Sequence, residues 1–106
     1  ILLYRLVYNL VENAIKYNNA DGTVTVAATR KDEHICLTIS DTGSGIPDEM
    51  KERIFEPFFR LDKSRSRALG GVGLGLALVR EIASVHGGSI TVTSNPSGGT
   101  TFAVTF

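Results

Sequence analysis

The sequence has no tryptophan, one methionine, three prolines and a single cysteine, Cys36. One cysteine excludes an internal disulfide, so the chain needs no oxidising compartment and suits a reducing cytosol. No apolar run approaches the roughly 18 residues of a membrane span, and the first residues lack the basic start and small-residue cleavage site of a signal peptide. The chain itself is therefore expected to be soluble. Net charge is also lacking: eleven Lys plus Arg balance eleven Asp plus Glu, which leaves no bulk attraction for nucleic acid or an anionic membrane. Internal repeats, low-complexity tracts and linkers are missing, as is a phosphate loop of the Gly-Lys-Ser/Thr type. What remains is 106 residues, 42% of them hydrophobic, which is enough for one domain, residues 1–106, with a modest core. The chain opens at Ile1, inside a helical pattern, and reads as an excised piece of something longer.

Leu3, Leu6, Val7, Leu10, Val11 and Ala14 recur at helical spacing and form one apolar stripe to about Tyr17, with Arg5, Tyr8 and Glu12 pointing away. Asn18, Asn19, Asp21 and Gly22 break the pattern. Val24, Val26 and Ala28 then alternate as a strand, and Arg30 to Glu33 reads as a hairpin turn. The next strand sets Ile35, Leu37, Ile39 and Asp41 on one face, against Cys36, Thr38 and Ser40 on the other. Pro47 fits the start of a short helix with Met50 and Ile54 inward. From Phe55 to Gly71, about 17 residues show no period, a length that in a compact domain points to function or disorder. A second helix is expected from Gly75 to His86, burying Leu78, Val79, Ile82 and Val85 or His86, with Gly87 as its stop. Ser89–Ser94 and Thr100–Phe106 complete the chain as two strands around a turn at residues 95–99. This order predicts an α/β (α+β) two-layer sandwich: a mixed sheet of about four strands covered on one face by helices.

Asn9, Asn13, Lys16 and Tyr17 fall within about a third of the first helix's circumference, beside the apolar stripe. An Asn oxygen is a neutral hard ligand for Mg²⁺, whose octahedron is largely completed by phosphates and water; the plainer alternative is a pair of solvated amides. Asp41 ends its strand on the apolar face, followed by Thr42, Gly43, Ser44, Gly45 and Ile46. A carboxylate there needs hydrogen bonds, which an exocyclic amino group such as that of adenine would supply and which a turn to the backbone of Gly43 would supply equally. The run Gly70, Gly71, Val72, Gly73, Leu74, Gly75 leads into a helix, where free N–H groups and the helix dipole favour a polyphosphate. A dinucleotide fingerprint would instead follow a buried strand, and here "DKSRSRAL" precedes. Arg60, Lys63, Arg65 and Arg67 against Asp62 give this loop a local charge of +3, either a phosphate-recruiting patch or a solvated cluster. Phe55, Phe58 and Phe59 would anchor its base.

Together these segments resemble the catalytic domain of sensor histidine kinases, in the superfamily that also holds gyrase-type ATPases. "NLVENAIKY" is similar to the asparagine box, "DTGSGIP" to the first glycine box, "FEPFFRLDKSRSR" to the phenylalanine box and lid, and "GGVGLGLAL" to the second glycine box. The resemblance runs from Leu6 to Phe106, and four motifs in the right order make it specific. It implies ATP and Mg²⁺ as ligands, with Asn13 on the metal, Asp41 on the adenine amino group, Tyr17 near the base, and Asn9, Lys16, Arg60, Lys63 and Arg67 around the phosphates. Gly43, Gly45 and Ile46 would line the base, Gly71, Val72, Gly73, Leu74 and Gly75 the phosphates, and Gly99 with Thr100 would lie near the adenine. Asn9, Asn13 and Lys16 are the residues it assigns to catalysis. The segment from Arg60 to Gly71 would be a long lid that closes over the phosphates. Family domains carry a further strand ahead of the first helix that has no counterpart here, so a four-stranded sheet with an unprotected edge is expected.

The activity implied is attack by a histidine imidazole on the γ-phosphorus of MgATP, the histidine lying on an upstream dimerisation and phosphotransfer domain. Neither His34 nor His86 has the acidic residue after it that the family's phosphoacceptor carries. A response regulator would be the downstream partner, the full-length protein a homodimer, and the domain cytoplasmic; a membrane anchor elsewhere in the full-length protein is compatible with all of this. Three rivals share the fold. A gyrase-type hydrolytic clamp needs a carboxylate base where this helix has Asn9, and Glu12 points about 60° away from that line. A serine-directed kinase of the anti-sigma type and a non-enzymatic nucleotide-binding module are the other two.

Overall fold

The computed structural model describes residues 2–57, 75–96 and 98–106. Helix α1 spans Leu2–Lys16 and helix α2 spans Gly75–Val85; strands β1 (Val24–Lys31), β2 (His34–Asp41), β3 (Ser89–Ser94) and β4 (Thr100–Thr105) form one sheet in the order β1-β2-β4-β3. The two helices pack on one another and on the sheet. This is the expected two-layer sandwich with four strands. All three strand pairings are antiparallel, so among the described residues the sheet is not mixed. The reason lies in the connections: two hairpins flank a crossover that sets β3 at the far edge, and β4 then returns beside β2.

One-sided burial accounts for the alternation in β2, β3 and β4; edge strand β1 is exposed on both faces beyond Val24, so its Val26 and Ala28 alternate without being buried. Ile39, Phe102 and Val104 are buried beneath the helices, with Leu37, Ile90 and Val92 packed beside them. The outer face carries small neutral side chains in cross-strand rows, Thr25, Ser40, Thr101 and Thr93 in one and Ala27, Thr38, Ala103 and Thr91 in the next. β1 and β2 run on to Lys31 and His34, which shortens the expected hairpin turn to Asp32 and Glu33, Asp32 taking φ +57°. Asp is among the few residues that enter this left-handed region at modest cost.

On α1 the buried line is Leu6, Leu10 and Ala14; Leu3, expected in the stripe, is exposed. On α2 the buried line is Val79, Ile82 and Ala83, whereas Leu78, Val85 and His86 are exposed, contrary to expectation. The small Ala83 side chain takes an inward place that periodicity alone would hand to a larger residue. Gly87, at φ +75°, ends α2: its N–H donates to Ser84 O at 2.9 Å and that of Gly88 to Ala83 O at 2.8 Å, the paired bonds of a Schellman cap. The expected helix after Pro47 is two 3₁₀ turns, Asp48–Met50 and Arg53–Phe55, closed by bonds such as Met50 N–H to Pro47 O at 2.9 Å. The second turn places Phe55 edge-on to Phe102, ring centroids 6.3 Å apart, with the Arg80 guanidinium 5.5 Å from the Phe55 ring centre.

Candidate functional site

The C-terminal end of α1, the end of β2 and the start of β4 converge because loop polar groups stitch them together. Asn18 Nδ2 donates to Thr23 O at 2.8 Å, and Asn18 Oδ1 accepts from the Thr42 hydroxyl at 2.9 Å. The same hydroxyl accepts from Thr23 N–H at 2.9 Å, while Asn19 Nδ2 donates to Thr42 O at 2.7 Å. This pins Gly43 under Tyr17: a Cβ on Gly43 would lie 2.3 Å from Tyr17 O, so only glycine fits. Asn18 and Asn19 read as turn formers in the sequence; their joint role with Thr42 did not show there, because Thr42 stands 24 and 23 positions away.

Asp41 is buried at 8% exposure, and its Oδ1 accepts two backbone N–H groups, Gly43 at 2.9 Å and Thr100 at 3.3 Å. The turn to Gly43 that the sequence allowed is therefore present. It occupies one oxygen only: among the described residues no hydrogen bond falls on Oδ2. Thr100 is buried at 3% and stands on the Asp41 side of the sheet. Gly45 adopts φ +81° and faces Gly99 across the site, and Ile46 packs at the edge of the core. Gly99, at φ +95°, presses on the Asp41 main chain, where a Cβ would meet Asp41 O at 2.0 Å.

Asn9 and Asn13 are half-buried on α1. Asn9 Nδ2 donates to Arg5 O at 2.8 Å, which leaves its Oδ1 turned towards the first residue of α2: a Cβ on Gly75 would lie 3.3 Å from that oxygen. The last glycine of the second glycine run is thus brought against the asparagine helix. The Asn13 side chain makes no hydrogen bond among the described residues. Lys16 pairs with Glu12 at 3.4 Å. Arg60, Lys63, Arg67, Gly71, Val72, Gly73 and Leu74, with Phe58, Phe59, Arg65 and Gly70, lie outside the described residues. A shallow depression of about 480 Å³ on the outer side of α1, lined by Tyr4, Val7, Tyr8, Val11, Glu12, Ile15 and Lys16, shares only Lys16 with this site.

The arrangement sets a buried acid, with one oxygen unbonded among the described residues, at one end and the amide side chains of α1 at the other. The family model for histidine kinase-, DNA gyrase B-, and HSP90-like ATPases matches residues 1–106. Over 103 residues the chain is 47% identical to the sensor-like histidine kinase SenX3 of Mycobacterium tuberculosis, covering 97% of this chain and 25% of that protein. It is 45% identical over 102 residues to the sensor histidine kinase RppB of Synechocystis, covering 96% and 22%. The chain thus spans about a quarter of the length of these curated relatives. Among solved structures, the mycobacterial sensor histidine kinase MprB superposes with a TM-score of 0.87 at 34% identity, covering 99% of this chain and 69% of that one. Full-length ShkA in complex with AMPPNP superposes at 0.83 with 30% identity, covering 98% and 21%. Matched along its whole length by the family model and superposing on sensor histidine kinases, the chain belongs to the histidine kinase-, DNA gyrase B- and HSP90-like ATPase family.

Proposed function

We propose that residues 1–106 form the ATP-binding catalytic domain of a sensor histidine kinase, which binds MgATP and passes its γ-phosphoryl group to a histidine on a separate dimerisation domain. The observation that carries this reading is Asp41: a buried carboxylate whose Oδ1 is held by two backbone N–H groups while Oδ2 makes no hydrogen bond among the described residues. An acceptor held in this way complements the amino group of adenine and opposes the carbonyl that guanine places there. Thr100, Gly43, Gly45, Ile46 and Tyr17 are assigned to the base beside it. At the other end, Asn9, Asn13, Lys16 and Gly75, with Arg60, Lys63, Arg67, Gly71, Val72, Gly73 and Leu74, are assigned to the phosphates. The amide of half-buried Asn13, without a hydrogen bond among the described residues, fits a Mg²⁺ ligand, since an amide oxygen is a hard neutral donor. When bound, the metal neutralises phosphate charge.

The part of this chain is to hold and orient. Asp41 sets the base, and the amides and cations set the phosphate tail so that the γ-phosphorus faces outward for in-line attack by an imidazole nitrogen. Asn9 stands where a hydrolytic relative needs a carboxylate, and an amide cannot usefully take a proton from water, which removes a factor of about 10² to 10⁴ from hydrolysis. A response regulator is the downstream acceptor in this reading and a homodimer the full-length assembly. The domain is assigned to the cytoplasm; no helix among the described residues is long and apolar enough to cross a membrane.

The test combines binding with transfer. By calorimetry the chain should bind MgATP, and Asp41→Asn should weaken it by about 1–3 kcal/mol, because an acceptor facing a donor is lost. With radioactive ATP the chain alone should remain unlabelled. Adding a dimerisation domain that carries a histidine followed by an acidic residue should place acid-labile, alkali-stable label on that domain. Stoichiometric self-labelling, or phosphoserine on the partner, would defeat the reading, as would unaltered ATP affinity in Asp41→Asn.

A further inference from the structure

The acid that the proposed function turns to adenine is itself held by a side chain no motif marks. Asn95, in the turn between β3 and β4, donates from Nδ2 to the main-chain oxygen of Asp41 at 3.0 Å, across 54 positions of sequence. Its Oδ1 accepts the hydroxyl of Thr101. Thr101 spends its only hydroxyl proton on that bond, so the 2.7 Å contact between Thr101 Oγ1 and Ser40 Oγ must be donated by Ser40. The direction is settled along the whole line: Ser40 to Thr101, Thr101 to Asn95, Asn95 to Asp41. With Thr101 presenting a donor and Asp41 a carbonyl, the amide of Asn95 satisfies both in one orientation only.

This line crosses the sheet. Ser40 and Thr101 are cross-strand partners on the outer face, whereas Asp41 and Thr100 face the helices. Asn95 also anchors the turn itself, its N–H donating to Gly99 O at 3.1 Å and its O accepting from Gly98 N–H at 3.0 Å. The turn delivers Gly99 against Asp41 O and Thr100 N–H to Asp41 Oδ1. Both the backbone and the carboxylate of Asp41 thus depend on where Asn95 holds the turn.

We propose that Asn95, oriented by Thr101 and Ser40, is a positioning residue for base selectivity: it fixes the rotation of the Asp41 carboxylate so that Oδ2 alone is presented to the nucleotide base. The inference rests on the reading of Asp41 as the adenine-facing acid. Without the amide, the β3–β4 turn and its bond to Oδ1 lose their reference, the carboxylate rotates, and an adenine amino group gains less over a guanine carbonyl.

The readout is the ratio of ATP to GTP affinity, measured by calorimetry on the 106-residue chain. Phosphate contacts are common to both nucleotides and cancel in the ratio, and a purely structural role would lower melting temperature without moving it. Asn95→Asp keeps the shape and the acceptor for Thr101 but removes the donor to Asp41. It should reduce the ATP preference about three- to tenfold, as the loss of one hydrogen bond between uncharged groups allows. Thr101→Val keeps Asn95 and removes only its orienting hydroxyl; it should lower the ratio by a smaller factor, about two- to threefold. It also decides the matter if Asn95→Asp does not fold. A ratio unchanged in the folded variants overturns the role of Asn95 while leaving Asp41 standing. A wild-type chain that binds ATP and GTP alike removes the reading of Asp41 itself, and this inference with it.

Discussion

Gly99 and Gly87 both occupy the left-handed region, at φ +95° and +75°, and for unlike reasons. A Cβ on Gly87 would meet nothing within 4 Å, so alanine there suffers only the backbone penalty of the region, about 1–2 kcal/mol. A Cβ on Gly99 would lie 2.0 Å from Asp41 O, where main chain meets main chain and neither side can yield cheaply. Gly99→Ala should therefore cost more, about 3 kcal/mol or above, and should disturb the acid as well as the turn. Urea unfolding of the two variants side by side is the check; equal losses would show that the approach of Gly99 to Asp41 has no energetic weight. The demand for glycine at 99 comes from the site, and at 87 from the end of a helix.

Helix α1 has two faces. Leu6, Leu10 and Ala14 pack inward, while Tyr4 and Tyr8 stack on the outside with centroids 6.1 Å apart. Glu12 serves two neighbours there, acting on the Tyr8 phenol one turn back and pairing with Lys16 at 3.4 Å. The hydrogen bond to Glu12 first, and its negative charge second, raise the Tyr8 pKa above the usual 10. Because the folded-state value is the raised one, the contribution to stability is complete below pH 10 and fades as pH climbs through the folded value. Tyr8 is exposed, so the contribution is small, and the titration is the sharper observable. In an absorbance titration of the phenolates, with Tyr8→Phe as the assignment control, Glu12→Gln should move the Tyr8 midpoint down. A midpoint that stays put would mean that Glu12 does not hold the phenol. The same substitution releases Lys16 from its helix partner, which links this surface ladder to a side chain assigned to the phosphates.

At the scale of the molecule, one small core holds both layers together: Leu6, Leu10, Val79, Ile39, Phe102 and Val104 are all fully buried where helices meet sheet. Leu10→Ala should cost about 2–5 kcal/mol, a large share of the roughly 5–15 kcal/mol that stabilises a domain. A shift in the urea midpoint with an unchanged slope would show this. A loss under about 1 kcal/mol would mean that the two layers are not joined through Leu10. The helices and strands around this core were legible in the chain because burial is one-sided, and one-sided burial writes a period of 3.6 or 2 into sequence. Asp41 was legible for the same reason, as a carboxylate at a position whose neighbours two and four residues back are Ile39 and Leu37.

Periodicity says that a face is buried and not what it meets. The strand order β1-β2-β4-β3, the antiparallel run of every pairing and the inward turn of Ala83 rather than Leu78 or Val85 were decided by the packing of layers on each other. After Pro47, i to i−3 bonds in place of a regular helix were likewise a matter of local geometry against Phe102. The linkage of Asn95 to Asp41 belongs to the same class. Asn95 sits in a turn where any small polar residue would satisfy local rules, and its partners stand 6 and 54 positions away. By itself the sequence determined the elements, the family and the odd acid on an apolar face, because those follow from residue type and near-neighbour spacing. The orientation of that acid, and the side chains that hold it, were decided only in the tertiary structure, because a hydrogen bond between groups so distant in the chain exists only once the sheet has brought them together.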